Sequence, residues 1–339
     1  MEHRPLGPTG TLVSTLCLGA MTFGKESDEK TSHALLDRFV ERGGDFIDTA
    51  DVYSQGRSEE IIGRWFAARP GVRDRVVLAT KGRFPMGDGP NDLGLSRTYL
   101  TRALDASLRR LGVEAIDLYQ AHAWDPLTPI EETLRFYDDA VRAGKIRYVG
   151  VSNFVGWQLQ KAATLAEVRG LTPIATLQPQ YNLISRDIEF ELVDVCRNEG
   201  VGILPWSPLA GGWLTGKYRR DEVPTGATRL GEDPERGMEA YAPRNAQERT
   251  WRIVDTVRQV AEARGASMAQ VALAWVADRP MVTSVILGAR TLEQLDDNLG
   301  AAGLHLSESE TALLDEASAP TVADYPYGGP GVDQRSRSF

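Results

Sequence analysis

The chain has 339 residues, of which 42% are hydrophobic and 25% charged, a balance typical of globular proteins rather than disordered, fibrous or membrane proteins. Its formal net charge is −9 and its basic residues are scattered among acidic ones, so we expect no nucleic-acid partner, because tracking a phosphate backbone requires a basic stripe. The length permits either two domains or one closed α/β barrel.

The cysteines and the first residues bear on the compartment. Cys17 and Cys196 are the only cysteines, and their apolar surroundings and wide separation predict neither a disulfide framework nor a thiolate metal site. Residues 1–5 lack the apolar stretch of a signal peptide, and no window approaches the roughly 18 consecutive apolar residues of a membrane span. We therefore expect a cytoplasmic protein without a membrane partner.

Eight short apolar runs, rich in residues that favour strands, predict a sheet. They lie at residues 16–19, 45–48, 76–80, 116–120, 147–151, 174–178, 202–206 and 284–287. Helical patterns fill the gaps between the first seven, and strands that alternate with helices pair in parallel through right-handed crossovers. An open doubly wound sheet would satisfy this pattern as well. Eight units of similar spacing without a break in composition favour closure into a (β/α)8 TIM barrel, an α/β fold.

Helix start and stop signals support this alternation. Ser96 and Gly112 are suited to begin and end a helix that carries leucines at helical spacing. Residues 128–131 match a capping box with proline at the first helical position, and they predict a helix that stops at Gly144. The capping pattern recurs at residues 267–270 and 307–310.

Two segments lack the alternating pattern of strands and helices. From residue 210 to about residue 247, Gly, Pro and charged residues dominate, which predicts a long loop after strand seven. Because this loop would lie over the carboxyl ends of the strands, we expect it to be functional. Residues 1–320 are predicted to form one barrel domain with long loops on that face, and the Gly-, Pro- and Ser-rich residues 321–339 a mobile tail.

A glycine motif after the first strand requires separate consideration. Residues 19–25 have the spacing of a phosphate-binding P-loop and precede a helix that Asp28 could cap. The next residue, however, is Glu26, where a hydroxyl is needed for Mg²⁺ and a carboxylate would repel a triphosphate. We set this interpretation aside. The Gly-x-Gly-x-x-Gly signature of open dinucleotide-binding sheets follows none of the predicted strands, and Gly-x-Ser-x-Gly does not occur.

Four polar residues fall at or after the carboxyl ends of predicted strands. They are Asp48, Tyr53, Lys81 and His122. In a closed barrel these ends face one mouth, where the active sites of this fold lie, so the four could converge. Taken singly, each has an ordinary explanation. Asp48 could cap a turn and Tyr53 could pack on the rim of the barrel. Lys81 could be a solvated charge, and His122 could be a hydrogen-bonded histidine of the core. Their joint occurrence favours a site.

Carbonyl reduction would use all four groups. A carbonyl that accepts hydride becomes an alkoxide and needs a proton, which the Tyr53 phenol can supply. Lys81 would lower the pKa of that phenol, Asp48 would hold Lys81 protonated, and His122 would orient the carbonyl oxygen. Only four histidines occur, and the other three lack ligand spacing, so we expect no metal site.

These residues resemble the aldo-keto reductase superfamily over about residues 3 to 318. The matching segments are 48–53, 80–81, 122, 150–154, 178–182, 206–212 and 287–290, with Gln294 and Asn298. The resemblance extends to bacterial NADPH-dependent members and to the potassium-channel β-subunit-like and sugar-reductase branches. It implies a (β/α)8 barrel, NADP(H) bound across the mouth, and ordered, metal-free hydride transfer. The catalytic tetrad that it implies is Asp48, Tyr53, Lys81 and His122.

The resemblance also implies a set of cofactor-binding residues. At the carboxamide and the nicotinamide ring these are Ser152, Asn153, Gln178 and Trp206. At the pyrophosphate they are Ser207, Leu209, Gly211 and Lys217. At the adenosine end they are Arg290, Gln294 and Asn298, and Met21, Pro208 and Gly288 complete the set. A guanidinium suits a 2′-phosphate, so Arg290 favours NADPH over NADH, although it could instead be a surface charge.

The sequence is less informative about the substrate. The predicted substrate-binding residues are Phe23, Arg83 and Trp124, together with the long loop. Arg83 suggests an anionic or polyhydroxylated substrate, whereas the two aromatic residues could stack on an aromatic aldehyde or flank a sugar ring. By resemblance, His122 argues for carbonyl reduction, because relatives that reduce carbon–carbon double bonds of steroids typically carry glutamate there.

Two functions follow. The first is an NADPH-dependent reductase of aldehydes, ketones or keto-sugars, with Tyr53 as general acid and a small carbonyl compound as partner. The alternative is a regulatory cofactor-binding subunit of a membrane or multiprotein complex with little turnover. The sequence leaves both a monomer and a homo-oligomer open.

Overall fold

All eight predicted strands are present in the computed structural model, which describes residues 1–336. A short antiparallel hairpin, β1 (His3–Pro5) and β2 (Leu12–Ser14), precedes them. The parallel strands are β3 (Leu16–Gly19), β4 (Phe46–Asp48), β5 (Val77–Gly82), β6 (Ile116–Ala121), β7 (Ile146–Ser152), β8 (Ile174–Gln178), β9 (Gly202–Ile203) and β10 (Val285–Leu287). They lie in chain order, with β10 beside β3.

Backbone hydrogen bonds between β9 and the segment before β10 close the sheet into a barrel. The Ile203 N–H donates to Met281 O at 2.8 Å, and the Thr283 N–H donates to Ile203 O at 2.9 Å. Strand β9 is shorter than the predicted 202–206, because Pro205 has no N–H with which to continue the ladder. The predicted (β/α)8 barrel is confirmed.

Helices cover the outside of this barrel and connect its strands. The α-helices are α1 (Glu29–Glu41), α2 (Arg57–Ala67), α3 (Arg97–Leu111), α4 (Ile130–Arg142), α5 (Gly156–Val168), α6 (Leu192–Glu199), α7 (Arg229–Glu232), α8 (Tyr241–Asn245), α9 (Glu248–Arg264), α10 (Met268–Ala277), α11 (Leu292–Leu299), α12 (Glu308–Ser318) and α13 (Gly329–Arg335). Short 3₁₀ turns cover Tyr53–Gly56, Arg73–Arg75, Asp187–Phe190, Ala210–Thr215 and Gly237–Glu239. No helix within residues 1–336 is long and apolar enough to cross a membrane.

Most of the predicted helix caps are confirmed. Ser96 accepts from the Tyr99 N–H at 3.2 Å, and Ser267 and Ser307 each form a full capping box. The capping box predicted at 128–131 is wrong. Helix α4 begins one residue after the proline, and the Thr128 hydroxyl donates to Asp125 at 2.6 Å rather than capping the helix.

The amino-terminal hairpin, which we did not predict, packs against the buried interior of the barrel. Leu6 and Val13 are fully buried in one cluster with Phe46 and other inward-facing strand residues. Gly7 allows the close approach, because a Cβ atom there would lie 1.9 Å from the Ala175 carbonyl oxygen. Hairpin strands of three residues carry too little alternation to be recognised in a sequence.

The segment 210–247 is ordered by aromatic packing rather than structureless. Trp213 is buried and stacks on Tyr241 with ring centroids 5.5 Å apart, and it also contacts Trp251 of α9. Two short α-helices and two 3₁₀ turns lie within it. Isolated aromatic residues have no periodicity, so the sequence pattern did not predict this order.

The chain after Pro320 returns to the barrel surface. Helix α13 follows a stack of Tyr327 on Phe190, whose ring centroids lie 5.1 Å apart. Residues 321–336 of the tail predicted to be mobile include these contacts and helix α13, and residues 337–339 lie outside the described residues.

Candidate active site

The four polar residues predicted to converge meet at the carboxyl-terminal mouth of the barrel. Asp48 ends β4, Lys81 lies near the end of β5, and His122 follows β6. The Lys81 ammonium donates to Asp48 Oδ1 at 2.5 Å and to the Tyr53 hydroxyl at 3.3 Å. Parallel strands bring these residues together because their carboxyl ends share one edge of the barrel.

The Lys81–Asp48 pair is buried and all of its polar atoms have partners. Lys81 makes its third hydrogen bond to the Thr49 carbonyl oxygen at 2.8 Å. Asp48 Oδ2 accepts from Gln120 at 3.1 Å and from Gln178 at 3.0 Å. A buried ion pair requires such additional hydrogen bonds to offset desolvation. Gln120 was missed by our sequence analysis, although a polar residue at an inward strand position was a detectable signal.

The pKa values of Lys81 and Tyr53 are shifted by burial as well as by the charges near them. Burial alone would lower the pKa of Lys81, but attraction to Asp48, and then to Tyr53, raises it above its ordinary value. Burial raises the pKa of Tyr53, and Lys81 opposes this rise without cancelling it. Lys81 thus lowers the pKa of Tyr53 as we expected, but the net shift is upward, because desolvation exceeds the effect of the ammonium.

His122 lies beside the aromatic ring of Tyr53. Its ring packs edge-on against Tyr53 with centroids 5.7 Å apart, and Phe84 covers it at 4.6 Å. Burial, aided by Lys81, holds the pKa of His122 well below its ordinary value, so the imidazole is neutral. Its Nδ1 atom is buried and makes no hydrogen bond with any of residues 1–336. A neutral imidazole can donate one hydrogen bond to a carbonyl oxygen.

A cavity of about 680 Å³ opens beside these residues and runs toward helix α11. Asp48, Tyr53 and His122 line one end. Every residue that we predicted to bind the cofactor also lines it: Met21, Ser152, Asn153, Gln178, Trp206, Ser207, Pro208, Leu209, Gly211, Lys217, Gly288, Arg290, Gln294 and Asn298. Residues at or after seven of the eight strand ends thus share one surface, as the barrel topology allows.

Other lining residues escaped our sequence analysis. They include Thr22, Thr215, Arg229, Ser267, Met268 and Asp297. Arg229 belongs to the aperiodic segment, where no strand or helix pattern assigned it a position. Ser267 and Met268 form the amino end of α10, which we recognised as a helix start but did not place at the mouth.

Hydrogen bonds among the predicted nicotinamide-binding residues hold them in position. Asn153, in a left-handed conformation with φ 56°, donates to the His122 carbonyl oxygen at 3.0 Å. Its Oδ1 accepts from the Trp206 indole at 3.0 Å. The Ser152 hydroxyl donates to the Gln178 carbonyl oxygen at 2.8 Å. The orientation of Trp206 is therefore linked to the loop that carries His122.

The predicted pyrophosphate segment has the open backbone that such a contact requires. Gly211 and Gly212 have φ of 65° and 99°, values that glycine adopts readily. The Ser207 hydroxyl donates to the carboxylate of Glu239, which is buried. A Cβ atom on Gly211 would lie 2.4 Å from Glu239 Oε2. A carboxylate of the chain thus lies against the backbone predicted to receive phosphate.

Arg290 is not an isolated surface charge. Its guanidinium forms a two-pronged pair with Glu232 at 2.8 and 3.1 Å, and it lies 3.7 Å from Glu26. Glu26 also binds Arg236 at 2.9 Å. The Glu26 carboxylate therefore pairs with arginines where a P-loop would carry its Mg²⁺-binding hydroxyl, which agrees with setting that interpretation aside.

The three predicted substrate-binding residues do not line the cavity. Phe23 is fully buried in the core below the first loop, so its side chain is out of reach of a ligand in this structure. Arg83 and Trp124 are half-buried, with Arg83 over the Phe84 ring and Trp124 packed between Phe154 and Trp157. The turn after β3 directs Phe23 inward, and the sequence pattern did not reveal that direction.

Comparisons with known proteins agree with this architecture. The family model described as the aldo/keto reductase family matches residues 15–319. The chain is 39% identical to the "uncharacterized oxidoreductase YrpG" of Bacillus subtilis, over 93% of this chain and 95% of that protein. It is 37% identical to a "probable voltage-gated potassium channel subunit beta" of Arabidopsis thaliana (89% and 91%). It is 34% identical to "versiconal hemiacetal acetate reductase" of Aspergillus parasiticus (94% and 98%). The chain belongs to the aldo/keto reductase family.

Proposed function

We propose that this protein is an NADPH-dependent reductase that delivers a hydride to the carbonyl of an aldehyde, ketone or keto-sugar, with Tyr53 as general acid. One observation carries the proposal. The Tyr53 hydroxyl lies 3.3 Å from a buried ammonium, at the end of a cavity whose walls include every residue predicted to bind the cofactor. We further propose that it acts in the cytoplasm on small carbonyl compounds.

The charges along the cavity support an anionic dinucleotide. Lys217, Arg229 and Arg290 line the end of the cavity away from Tyr53. Burial lowers the pKa of Lys217, and repulsion from the two arginines lowers it further. Bound phosphates would relieve this repulsion. A nicotinamide cofactor held there would supply the hydride.

The chain's own residues would manage the proton. The raised pKa of Tyr53 keeps the phenol protonated until negative charge develops on the carbonyl oxygen. Lys81 would then stabilise the phenolate, while Asp48 holds the ammonium in place at 2.5 Å. Neutral His122 would donate a hydrogen bond to the same oxygen and orient it.

The preference for NADPH over NADH rests on Arg290. A guanidinium can bind a 2′-phosphate through two parallel hydrogen bonds. Arg290 presents this geometry to Glu232, with N–O distances of 2.8 and 3.1 Å. A 2′-phosphate at this position would have to displace that carboxylate.

The test is to replace Tyr53 with Phe and measure NADPH oxidation against a panel of carbonyl compounds. Tyr53→Phe should abolish turnover while NADPH still binds in a fluorescence titration. Tyr148→Phe, which removes a hydroxyl that contacts Thr11 at 2.8 Å, is the matched control and should keep wild-type turnover. Retained turnover in Tyr53→Phe would refute its role as general acid.

A second candidate function has one observation in its favour, the similarity to plant proteins named as probable potassium channel β subunits, at 37% and 38% identity. In that case the chain would bind cofactor as a regulatory module of a larger complex. Sustained turnover on any carbonyl compound favours the reductase. NADPH binding without turnover, together with capture of a defined partner protein, favours the module.

A further inference from the structure

A fully buried carboxyl group lies in the loop between Asp48 and Tyr53. Asp51 is 0% exposed, two residues before Tyr53 in the loop after β4. Its N–H donates to the Lys81 carbonyl oxygen at 3.1 Å, so its backbone is tied to the strand that carries the ammonium. Its side chain lies against the same strand, because a Cβ atom on Gly82, the residue after Lys81, would be 3.5 Å from Asp51 Oδ2.

The carboxyl oxygens of Asp51 are poorly satisfied. Oδ1 makes no hydrogen bond in the part of the chain that the structure describes. Oδ2 is 3.4 Å from the Tyr99 hydroxyl, which has a better acceptor in the Phe84 carbonyl oxygen at 2.8 Å. A buried carboxylate without strong donors is costly, so the protonated form is favoured.

Charged and titratable groups face Asp51 from every element packed against it. They are Glu59 of α2, Tyr99 and Arg110 of α3, Tyr119 of β6 and Tyr137 of α4, with Tyr53 on its own loop. The cation of this group and the ammonium of the neighbouring strand β5 are already paired. Arg110 binds the buried Glu59 at 2.6 Å and Lys81 binds Asp48 at 2.5 Å. No cation within residues 1–336 therefore neutralises Asp51 directly.

The balance of these effects makes Asp51 titrate near neutral pH. Burial, and next the negative charge of Glu59, raise the pKa of Asp51 to about 7. Charge on Asp51 in turn raises the pKa of Tyr53. A negative charge behind the phenol disfavours the phenolate that proton donation would leave.

We propose that Asp51 is a positioning residue whose ionisation tunes Tyr53 as a proton donor, with the neutral carboxyl form supporting the faster reduction. This inference rests on the function proposed above. It makes Asp51, rather than Tyr53 or His122, the group whose protonation controls the reaction across the neutral range.

The first test is the pH dependence of the single-turnover rate of NADPH oxidation with a carbonyl substrate, which isolates hydride and proton transfer. In the wild type the rate should fall about threefold as the pH rises through neutrality, because ionised Asp51 disfavours the phenolate that proton donation leaves. Asp51→Asn should keep the rate flat across this interval. Asp105→Asn, which removes an exposed carboxylate paired with Lys145 at 2.7 Å, should behave as the wild type.

A second variant acts on the same carboxyl group without replacing it. Glu59→Gln removes the negative charge next to Asp51 and should move the midpoint of the rate profile to lower pH. This variant keeps the proposal testable if Asp51→Asn does not fold. The inference would be overturned if the rate–pH profile of Glu59→Gln had the same midpoint as that of the wild type. It would also be overturned if the rate–pH profile of Asp51→Asn were the same as that of the wild type.

Thermal unfolding provides a readout that does not need turnover. Because the pKa of Asp51 is raised above its unfolded value of 3.8, its contribution to stability is fully present at acid pH and is lost as the pH rises toward 7. The Tm of Asp51→Asn minus the Tm of the wild type should therefore increase as the pH is raised from 5 to 8. A constant difference refutes the inference whatever the activity. If the difference in Tm changes with pH but no carbonyl compound is turned over, the proposed function is contradicted, and with it the tuning role.

Discussion

At the scale of single residues, the site depends on a buried charge pair that shares its partners. Asp48 accepts from Lys81, Gln120 and Gln178, so one carboxylate orients the ammonium and two amides at once. In the proposed reaction, Gln178 would thereby be presented to the cofactor by the same residue that holds the Lys81 ammonium. Removal of one partner of such a pair leaves the other charge buried and unpaired.

We predict that Asp48→Asn loses both activity and stability. The free energy of unfolding in urea should fall by about 3 kcal/mol, because Lys81 would keep its burial but lose its counter-ion. The carbonyl reductase rate should fall as well, since the Tyr53 hydroxyl would face an ammonium of lower pKa. Asp194→Asn, which removes an exposed pair with Arg197, should change stability by less than about 1 kcal/mol. Equal stability losses in the two variants would contradict this account.

The amino-acid sequence predicted which side chains converge, but it did not predict how burial and nearby charges shift their pKa values. The positions of Tyr53 and Lys81 at strand ends were sufficient to predict their contact. The sign of the pKa shift of Tyr53 was not predictable, because it depends on burial by residues such as His122 that approach from other loops.

At the scale of elements, α7 and the segment that joins it to α8 cover the predicted phosphate end of the cavity with their own carboxylates. Glu239 contacts Ser207 and lies 3.5 Å from Arg229, while Glu232 pairs with Arg290. These carboxylates pair with the hydroxyl and guanidinium groups that we expect to bind the phosphates. A dinucleotide would have to exchange with them, which couples its binding to movement of the segment.

This coupling leads to a prediction about cofactor affinity. Glu239→Gln should bind NADPH more tightly than the wild type, by about three- to tenfold, because a neutral amide competes less well with a phosphate for Ser207 and Arg229. Fluorescence titration measures the affinity. The matched control is Glu248→Gln, an exposed carboxylate paired with Arg220, which should leave the affinity unchanged. Weaker binding in Glu239→Gln would mean that the carboxylate instead holds the segment in its binding shape.

The accuracy of the prediction also differed between elements. Strands with several apolar residues and helices with serine caps were predicted within a few residues, since both signals are local. The capping box at 128–131 failed because the Thr128 hydroxyl had a competing acceptor in Asp125. The three-residue strands of the hairpin and the aromatic anchor around Trp213 carry no periodic signal at all.

At the scale of the whole molecule, residues far apart in sequence attach helix α12 to the rest of the fold. Arg186 lies below the carboxyl end of α12, where it binds Asp315 and the Ser318 hydroxyl. It also pairs with Glu189 at 2.8 Å and packs over the Trp275 ring at 5.1 Å. One nearly buried guanidinium therefore joins α10, α12 and the segment before α6.

We predict that Arg186→Ala destabilises the protein without changing the site. The free energy of unfolding should fall by about 3 kcal/mol, because Glu189 and the end of α12 would lose a largely buried cation. The affinity for NADPH, measured on the folded variant, should remain at the wild-type value. Arg258→Ala serves as the control, since its pair with Asp255 is solvent-exposed and should contribute less than about 1 kcal/mol. A comparable loss in the control would show that surface charge, not burial, is responsible.

The amino-acid sequence by itself determined the alternation of strands and helices, the order of the strands, and the placement of Asp48, Tyr53, Lys81 and His122 at one end of the barrel. These properties follow from local periodicity and from the direction that parallel strands share. Only the tertiary structure decided that Phe23 is buried, that Tyr53 is desolvated and that Glu239 lies against Gly211. Burial and charge pairing are set by groups far away in the sequence, whose approach no local pattern records.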